Sequence, residues 1–335
     1  MFNFPDIYEQ QKRNRRMTVL IMALFILFFG FLGYGFDLFY LGSDPLGVLG
    51  EATGGFPLGT VLALLVAGGS SALGLAKGAQ AVLSSAHAYP IPENDPKFKV
   101  LQDVVEEVSI AAGIPTPRIY IIPDADPNAL ATGKDPEHSY IAVTEGLLAT
   151  VNRDELQGVV AHEISHVKNY DIRLITIIAV LVGAIFLLSD WGGRAMRFGF
   201  GGGSRKRIRL SGNLGALALV IFAVWLIALI LSPIISQVLA MAVSRQREYL
   251  ADASGAELTR NPLALAGALE KLDSASAPTA SIKKGSANLC IVDPLGRKMN
   301  AKEGKLADLF GTHPPISKRI TYLKAMAYQI HPTTA

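Results

Sequence analysis

Five consecutive residues of this 335-residue chain have the types and the spacing of a metal site: His162-Glu163-Ile164-Ser165-His166. On a helix, residues four apart lie on one face, so both imidazoles can reach one Zn²⁺. Glu163, one residue along, can take a proton from a water bound beside them. This HExxH spacing predicts hydrolytic metal chemistry. The competing interpretation is a pair of core histidines that bind no ion.

A hydrolytic zinc ion needs three protein ligands and one open position, so a third donor must come from elsewhere in the chain. The best candidate is the segment Glu248 to Asp252, because a helix places its two carboxylates one turn apart on the same face. One carboxylate can bind the ion, and the other can accept the second N–H of a ligand imidazole. Asp171 and Glu257 are the alternatives if Glu248 is not the ligand. Without the upstream histidines, the same pair would be interpreted as a solvated acidic face.

Local patterns predict the elements that position these residues. Asn152 lies three residues before Glu155, the spacing of a capping box, and predicts the start of the helix that carries both histidines. Apolar residues at helical spacing predict a further helix over 95–112. Two short β-branched segments, 118–122 and 138–144, predict a small sheet. An extended substrate could add to the second of these strands through backbone hydrogen bonds.

The composition points to a membrane protein rather than a soluble enzyme. Half of the residues are hydrophobic and only 18% are charged, whereas soluble domains have about a quarter charged. Residues 17–36 and 52–76 carry no charge, and each segment is long enough to cross about 30 Å of hydrocarbon. The predicted spans are 17–36 and about 56–76. The flank before the first span is basic and the loop between the spans is acidic. The positive-inside rule therefore places both ends of this hairpin in the cytoplasm.

Two further hydrophobic segments, 174–189 and 210–244, are separated by a basic, glycine-rich loop. The positive-inside rule keeps this loop in the cytoplasm, whereas a complete third span would place it outside. The pair could therefore cross the membrane, which gives four spans, or form a hairpin that does not cross completely. Lipid headgroups or solvent explain the basic residues better than nucleic acid does. These residues are Arg194, Arg197, Arg205, Lys206, Arg207 and Arg209.

These segments divide the chain into five parts. We expect a basic cytoplasmic N-terminus at 1–16, a transmembrane hairpin at 17–76, a first catalytic part at 77–173, the second hydrophobic pair at 174–244 and a second catalytic part at 245–335. The fold would be a mainly α-helical integral membrane protein whose catalytic domain contains a small β-sheet and is split by a helical hairpin. A net charge of +3 from 31 basic and 28 acidic residues is too balanced for a nucleic-acid-binding protein. One cysteine, Cys290, excludes an intrachain disulfide.

Further motifs, found in order along most of the chain, make it resemble the HtpX family of membrane zinc metalloproteases, relatives of the CAAX prenyl endopeptidases. The matching segments are Asn128 to Gly133 for NAxxxG, His162 to Asp171 for HExxHxxxxD, Arg245 to Asp252 for RxREYxAD, and Thr312 to Arg319 for THPPxxxRI. Four motifs are much more specific than HExxH alone. The resemblance implies a zincin-like metalloprotease domain.

The resemblance also implies roles for individual residues. His162, His166 and Glu248 would bind one Zn²⁺ per chain, Glu163 would be the general base, and Asp252 would hold a ligand imidazole.

Three further residues complete the implied site. Asn128 would help to hold the substrate backbone. His313 would either donate a hydrogen bond to the developing oxyanion or only begin a helix, and Arg319 would organise the carboxylates.

By the same resemblance, the protein would be an endopeptidase of the bacterial inner membrane, with its site on the cytoplasmic side. Water deprotonated by Glu163 would attack the scissile carbonyl. The substrates would be unfolded or damaged membrane proteins, removed as part of membrane protein quality control. The partners would be these substrates, the lipid bilayer and other membrane proteases, and not nucleic acid.

Three other functions compete with this one. A CAAX-type prenyl-peptide endopeptidase would need more spans than the four visible segments provide. A non-catalytic membrane scaffold with structural zinc would need a closed site of four ligands. A transporter would need an ionisable residue inside a span.

Overall fold

The structure is a computed structural model that describes residues 7–49, 52, 55–92, 95–198, 218–229, 231, 245–275, 279–282, 284–294 and 314–330. The chain divides into two compact units. The first, called here the polar unit, consists of Met1–Thr18, Gly74–Val180 and Val238–Ala335. The second, called the apolar unit, consists of Val19–Leu73 and Leu181–Gln237.

The described residues form helices and four short strands. In chain order the helices are α1 (Ile7–Phe36), α2 (Leu58–Ser85), α3 (Lys99–Ala112), α4 (Glu145–Thr150), α5 (Arg153–Lys168), α6 (Asp171–Phe198), α7 (Ala218–Leu229), α8 (Arg245–Thr259), α9 (Pro262–Ser274) and α10 (Ile316–Ile330). The strands are β1 (Tyr89–Pro90), β2 (Arg118–Ile122), β3 (Ala129–Gly133) and β4 (Ser139–Thr144). The predicted mainly helical fold with a small sheet is confirmed.

Two helical segments in the described part are long and apolar enough to cross a membrane. They are Lys12–Leu41, with 30 residues, and Leu58–Ser85, with 28 residues. Both extend beyond the predicted spans, because α1 begins at Ile7 and α2 ends at Ser85. The basic residues at 12–16, expected in a separate N-terminal part, therefore lie within α1.

In the apolar unit, a buried carboxylate and a glycine contact hold the hairpin together. Both oxygens of Asp37 accept backbone hydrogen bonds, from the N–H of Gly59 at 2.6 Å and of Thr60 at 2.7 Å, which caps the start of α2. At Gly33, a Cβ would lie 2.6 Å from the carbonyl oxygen of Gly59. Small residues thus allow close approach of α1 and α2, as is typical of membrane helices.

The second hydrophobic pair is described only in part. The predicted segment 174–189 lies within α6, and α7 lies within the predicted segment 210–244. Residues 199–217, which include most of the basic loop, and the rest of 210–244 except Leu231 lie outside the described residues. The number of spans formed by this pair stays a prediction.

The sheet of the polar unit has the order β1-β2-β4-β3. β2 is parallel to β4, with Arg118 opposite Tyr140, and β3 is antiparallel to β4, with Ala129 opposite Val143. Both predicted strand segments are thus strands, and the intervening turn-rich stretch contributes β3.

The expectation that a substrate could add to β4 is wrong, because β4 is paired on both sides. The outermost strand on that side is β3. Its outer edge is partly covered, since the N–H of Ile291 donates to the carbonyl of Ala129 at 2.9 Å and Leu130 forms a bridge with Cys290. Strand order depends on pairing between distant segments, which local periodicity does not report.

Helix α5 is the central element of the polar unit, in contact with α3, α8, α9, β3 and β4. The predicted capping box begins it: Asn152 Oδ1 accepts from the N–H of Glu155 at 2.9 Å, and Glu155 Oε2 accepts from the N–H of Asn152 at 2.8 Å. Val159, Val160 and Ile164 are fully buried in the main hydrophobic core. The predicted helix over 95–112 is present as a short 3₁₀ turn followed by α3.

Glycines let α8 and α9 approach the backbone of α5. A Cβ at Gly158 would lie 2.8 Å from the backbone nitrogen of Leu265 in α9, and one at Gly255 would lie 3.0 Å from the backbone nitrogen of His162. Contacts this close leave no space for a methyl group without moving a helix.

We predict that Gly158→Ala destabilises the polar unit by about 1–3 kcal/mol, because the added methyl overpacks the contact between α5 and α9. Gly267→Ala is the matched control in α9. Its Cβ would lie 3.3 Å from Glu155 Oε1, the end of a flexible side chain, so the gain in helix propensity of about 1 kcal/mol should remain. Unfolding of both purified variants in detergent micelles, followed by circular dichroism, measures the difference. Equal stabilisation by both substitutions would contradict the close packing.

Candidate metal centre

Helix α5 places two imidazole nitrogens next to each other in the interior. His162 and His166 lie one helical turn apart and are 0% and 6% exposed. Their Nε2 atoms are 3.3 Å apart. The apolar contacts of α5 bury the face that these rings share.

Helix α8 brings a carboxylate to the same point. Glu248 Oε2 lies 3.7 Å from His162 Nε2, and Glu248 Oε1 lies 3.6 Å from His166 Nε2. One donor atom from each of these three residues lies within 4.8 Å of the others. The two alternative carboxylates are not in this group. Glu257 is exposed, and Asp171 contacts the other nitrogen of the His166 ring, Nδ1.

Each imidazole has a carboxylate behind it. Asp252 Oδ1 is 3.0 Å from His162 Nδ1, and Asp171 Oδ2 is 3.2 Å from His166 Nδ1. A carboxylate at Nδ1 favours the tautomer with the proton on that nitrogen. The Nε2 lone pairs of both rings are then available to one cation placed between them.

The residues present fit a zinc ion. In tetrahedral zinc sites with Zn–N bonds of about 2.0–2.1 Å, two nitrogens lie about 3.3 Å apart, and the separation of the Nε2 atoms here is 3.3 Å. Two imidazoles and one carboxylate form the donor set of hydrolytic zinc sites, which leave one position open for water or substrate.

The pKa values of the two histidines differ because their charged neighbours differ. Burial lowers the pKa of His162 below its usual value, and the positive charge of Arg319 acts in the same direction. Burial also disfavours the charged form of His166. The hydrogen bond with Asp171 and the negative charges of Glu248, Asp171 and Glu163 outweigh it and raise the pKa of His166 to about 9. The acidic groups around His166 therefore favour a positive charge at this ring.

Glu163 lies in the same buried cluster. It is 1% exposed, and its negative charge raises the pKa of both His166 and Arg319. The side chain of the predicted general base is thus close to the donor atoms and shielded from bulk water.

Arg319 of α10 is fully buried and connects Asp252 to the backbone at Ile291. Its Nε and Nη2 donate to the two oxygens of Asp252 at 2.8 and 2.7 Å, and its Nη1 donates to the carbonyl of Ile291 at 2.7 Å. Burial alone would raise the pKa of the Asp252 carboxyl, but the charge and hydrogen bonds of Arg319 hold it below its usual value. Arg319 thus keeps Asp252 ionised, and its Nη2 lies 3.4 Å from His162 Nδ1.

Asn128 directly precedes β3, the outermost strand of the sheet on that side. It is fully buried, and its side-chain NH₂ donates to Thr279 Oγ1 at 3.1 Å and to the carbonyl of Val292 at 3.0 Å. Its Oδ1 accepts from the N–H of Ala129 at 3.0 Å. In this arrangement Asn128 ties the start of β3 to the segment that covers the edge of β3, and its predicted contact with the substrate backbone stays a prediction.

His313 lies outside the described residues, whereas the helix that follows it, α10, is described from Ile316.

Asp171 contacts a ligand imidazole instead of joining the group of metal donors. The sequence suggested it as an alternative metal ligand, whereas its carboxylate lies at His166 Nδ1. Its position five residues after His166 is the one signal for this contact, since a helix that ends at Lys168 returns Asp171 to the ring of His166.

Comparison with known proteins identifies relatives along almost the whole chain. The model of Peptidase family M48 matches residues 95–327. A Protease HtpX homolog of Caldanaerobacter subterraneus subsp. tengcongensis is 41% identical over 320 residues, covering 96% of this chain and 98% of the relative. Protease HtpX homologs of Ligilactobacillus salivarius and Thermoanaerobacter pseudethanolicus are 39% and 40% identical to this chain. The aligned regions cover 100% and 98% of those two relatives.

Among solved structures, the crystal structure of S. mikatae Ste24p is similar to this chain with a TM-score of 0.41 and 20% sequence identity. The similarity covers 78% of this chain and 64% of that one.

We predict that Arg319→Met lowers the free energy of unfolding by about 3–5 kcal/mol, because Asp252 is left buried without its countercharge. Replacing both partners, as in Arg319→Met with Asp252→Leu, should recover much of this loss. Lys318→Met, an exposed position on the same helix, is the control and should change stability by less than about 0.5 kcal/mol. Unfolding of the metal-free proteins in detergent measures all three. An Arg319→Met protein as stable as wild type would exclude the buried ion pair.

Proposed function

Because the chain belongs to peptidase family M48 and is a membrane metalloprotease, we propose that it is a zinc-dependent endopeptidase of the bacterial inner membrane. One Zn²⁺ would be held by His162, His166 and Glu248, with Glu163 as the general base. The site would lie on the cytoplasmic side. The substrates would be unfolded or damaged membrane proteins, removed in quality control.

The observation that carries the zinc proposal is the convergence of three donor residues, two of which are imidazoles whose Nδ1 atoms are already engaged. Both Nε2 atoms face Glu248, while both Nδ1 atoms face carboxylates. Among the described residues this group offers three protein donors, which suits a hydrolytic site rather than a closed structural one.

The chain's own residues divide the work of hydrolysis between them. A bound divalent ion supplies a Lewis acid that polarises water and a scissile carbonyl. Glu163 takes the proton from the attacking water and delivers it to the leaving amine. Asp252 and Asp171 hold the imidazole rings at Nδ1, so that Nε2 of each ring stays available to the ion. Arg319 keeps Asp252 ionised and its position fixed.

We predict that Glu163→Gln retains zinc and lowers peptide hydrolysis by about 10²–10⁴-fold, because the amide cannot accept the proton of water. Glu248→Gln should lose zinc together with activity. Cleavage of casein by the detergent-purified chain and zinc content by mass spectrometry give the two readouts.

Two exposed carboxylates on the same helices serve as matched controls. Asp154→Asn on α5 and Glu257→Gln on α8 should keep both zinc and activity. Wild-type hydrolysis by Glu163→Gln would remove Glu163 from the mechanism. A zinc-loaded wild type that cleaves neither casein nor unfolded membrane proteins would favour a structural metal instead.

The cytoplasmic position of the site predicts a labelling pattern. Ile110 on α3 is 72% exposed, whereas Cys290 is 2% exposed and should react little. In Ile110→Cys, a membrane-impermeant maleimide should react only after the cells are permeabilised. Leu46, 76% exposed in the loop between α1 and α2, is the control, and Leu46→Cys should react in intact cells. Reaction of Ile110→Cys in intact cells would place the polar unit outside.

A further inference from the structure

One polar side chain near the start of α1 is buried among exposed basic residues. Asn14 is 1% exposed, whereas its neighbours Lys12, Arg13, Arg15 and Arg16 are exposed. Burying an amide costs free energy unless it makes hydrogen bonds. The contacts of Asn14 therefore indicate what it does.

Asn14 binds the turn that joins α5 to α6. Its Nδ2 donates to Asp171 Oδ1 at 2.7 Å and to the backbone carbonyl of Asn169 at 3.0 Å. The other oxygen of Asp171, Oδ2, faces His166 Nδ1 at 3.2 Å. A continuous chain of contacts thus runs from Asn14 through Asp171 to a proposed zinc ligand.

The backbone of this turn is unusual. Tyr170 has a φ of +58°, a left-handed conformation that is uncommon for residues other than glycine. The guanidinium of Arg15 lies 5.0 Å from the centre of the Tyr170 ring. Two adjacent residues of α1, Asn14 and Arg15, therefore contact this turn.

Asn14 donates a direct hydrogen bond to the Oδ1 atom of Asp171. Arg247 Nη1 lies 3.7 Å from the same Oδ1 atom, which is beyond hydrogen-bond distance. The arrangement parallels the other imidazole, where Arg319 holds Asp252 behind His162. Each proposed histidine ligand has a carboxylate at Nδ1, and each carboxylate has a donor from a helix outside α5.

We propose that Asn14 is a positioning residue for the metal site, which fixes Asp171 so that Asp171 orients His166. The inference rests on the proposed zinc site and makes the start of the first membrane-spanning helix part of it. Asn14 touches neither the ion nor the substrate. Its effect reaches the metal through the Asp171 carboxylate.

The test is the zinc affinity of the full chain in detergent, measured by competition with a chelator. Asn14→Leu has a similar size and no donor, and should bind zinc about 10–100-fold more weakly. The visible absorption of the Co²⁺-loaded protein should also change, because the His166 ring is no longer held. Thr18→Val is the matched control. Thr18 is 2% exposed, one turn further along α1, and its hydroxyl donates within the helix to the carbonyl of Asn14.

A second substitution tests whether Asn14 acts through the Asp171 carboxylate. In an Asp171→Ala background, Asn14→Leu should cause no further loss of affinity. Additive losses would mean that Asn14 acts through the Asn169 carbonyl alone and would overturn the proposal.

Unfolding of the metal-free proteins separates a general folding defect from a change at the site. If Asn14→Leu does not fold, Asn14→Asp provides the same test, since its carboxylate would repel Asp171. Wild-type affinity and spectrum in the variants would overturn this inference alone, whereas a wild-type chain that binds no zinc would overturn the proposed function as well.

Discussion

Two imidazole Nε2 atoms lie 3.3 Å apart in the protein interior, a separation that suits two ligands of one cation, and much of the polar unit is arranged around them. The carboxylates at Nδ1 direct the two rings, and Glu248 adds a third donor. Four acidic side chains, Glu163, Asp171, Glu248 and Asp252, are therefore buried close together. Buried charge of one sign is costly unless it is balanced. Arg319 balances part of it, and a bound cation would balance the rest.

The charged and metal-binding side chains of the site come from helices that are distant along the chain. Helix α5 supplies the rings and the base, α8 supplies Glu248 and Asp252, and α10 supplies Arg319. A glycine brings the backbones of α5 and α8 close enough for their donors to meet. Gly255 places α8 against the backbone at His162. The polar site therefore depends on tight apolar packing, and a methyl group in the wrong place would separate ligands that are chemically intact.

The parts of this arrangement that follow local rules could be predicted from the sequence. The capping box at Asn152, the helix with HExxH and the strand over 118–122 depend on neighbouring residues, and all three are present. The place of Glu248 and Asp252 followed from their helical spacing. The order of the strands and the internal position of β4 could not be predicted, because they depend on pairing between distant segments. The contacts of Asn128 could not be predicted either, because they depend on the segment near Ile291. The contact of Asn14 with Asp171 joins residues far apart in the sequence, and no local pattern indicates it.

The order of the site residues along the chain has a consequence for synthesis. A ribosome makes α5 first, then the apolar segment at 181–237, and only then α8 and α10. A nascent chain that has completed α5 holds two imidazoles without Glu248, and one that has completed α8 lacks the arginine that neutralises Asp252. The site can be assembled only after the apolar segment has left the ribosome. The order of translation thus delays hydrolysis until the chain's own hydrophobic segments have been made.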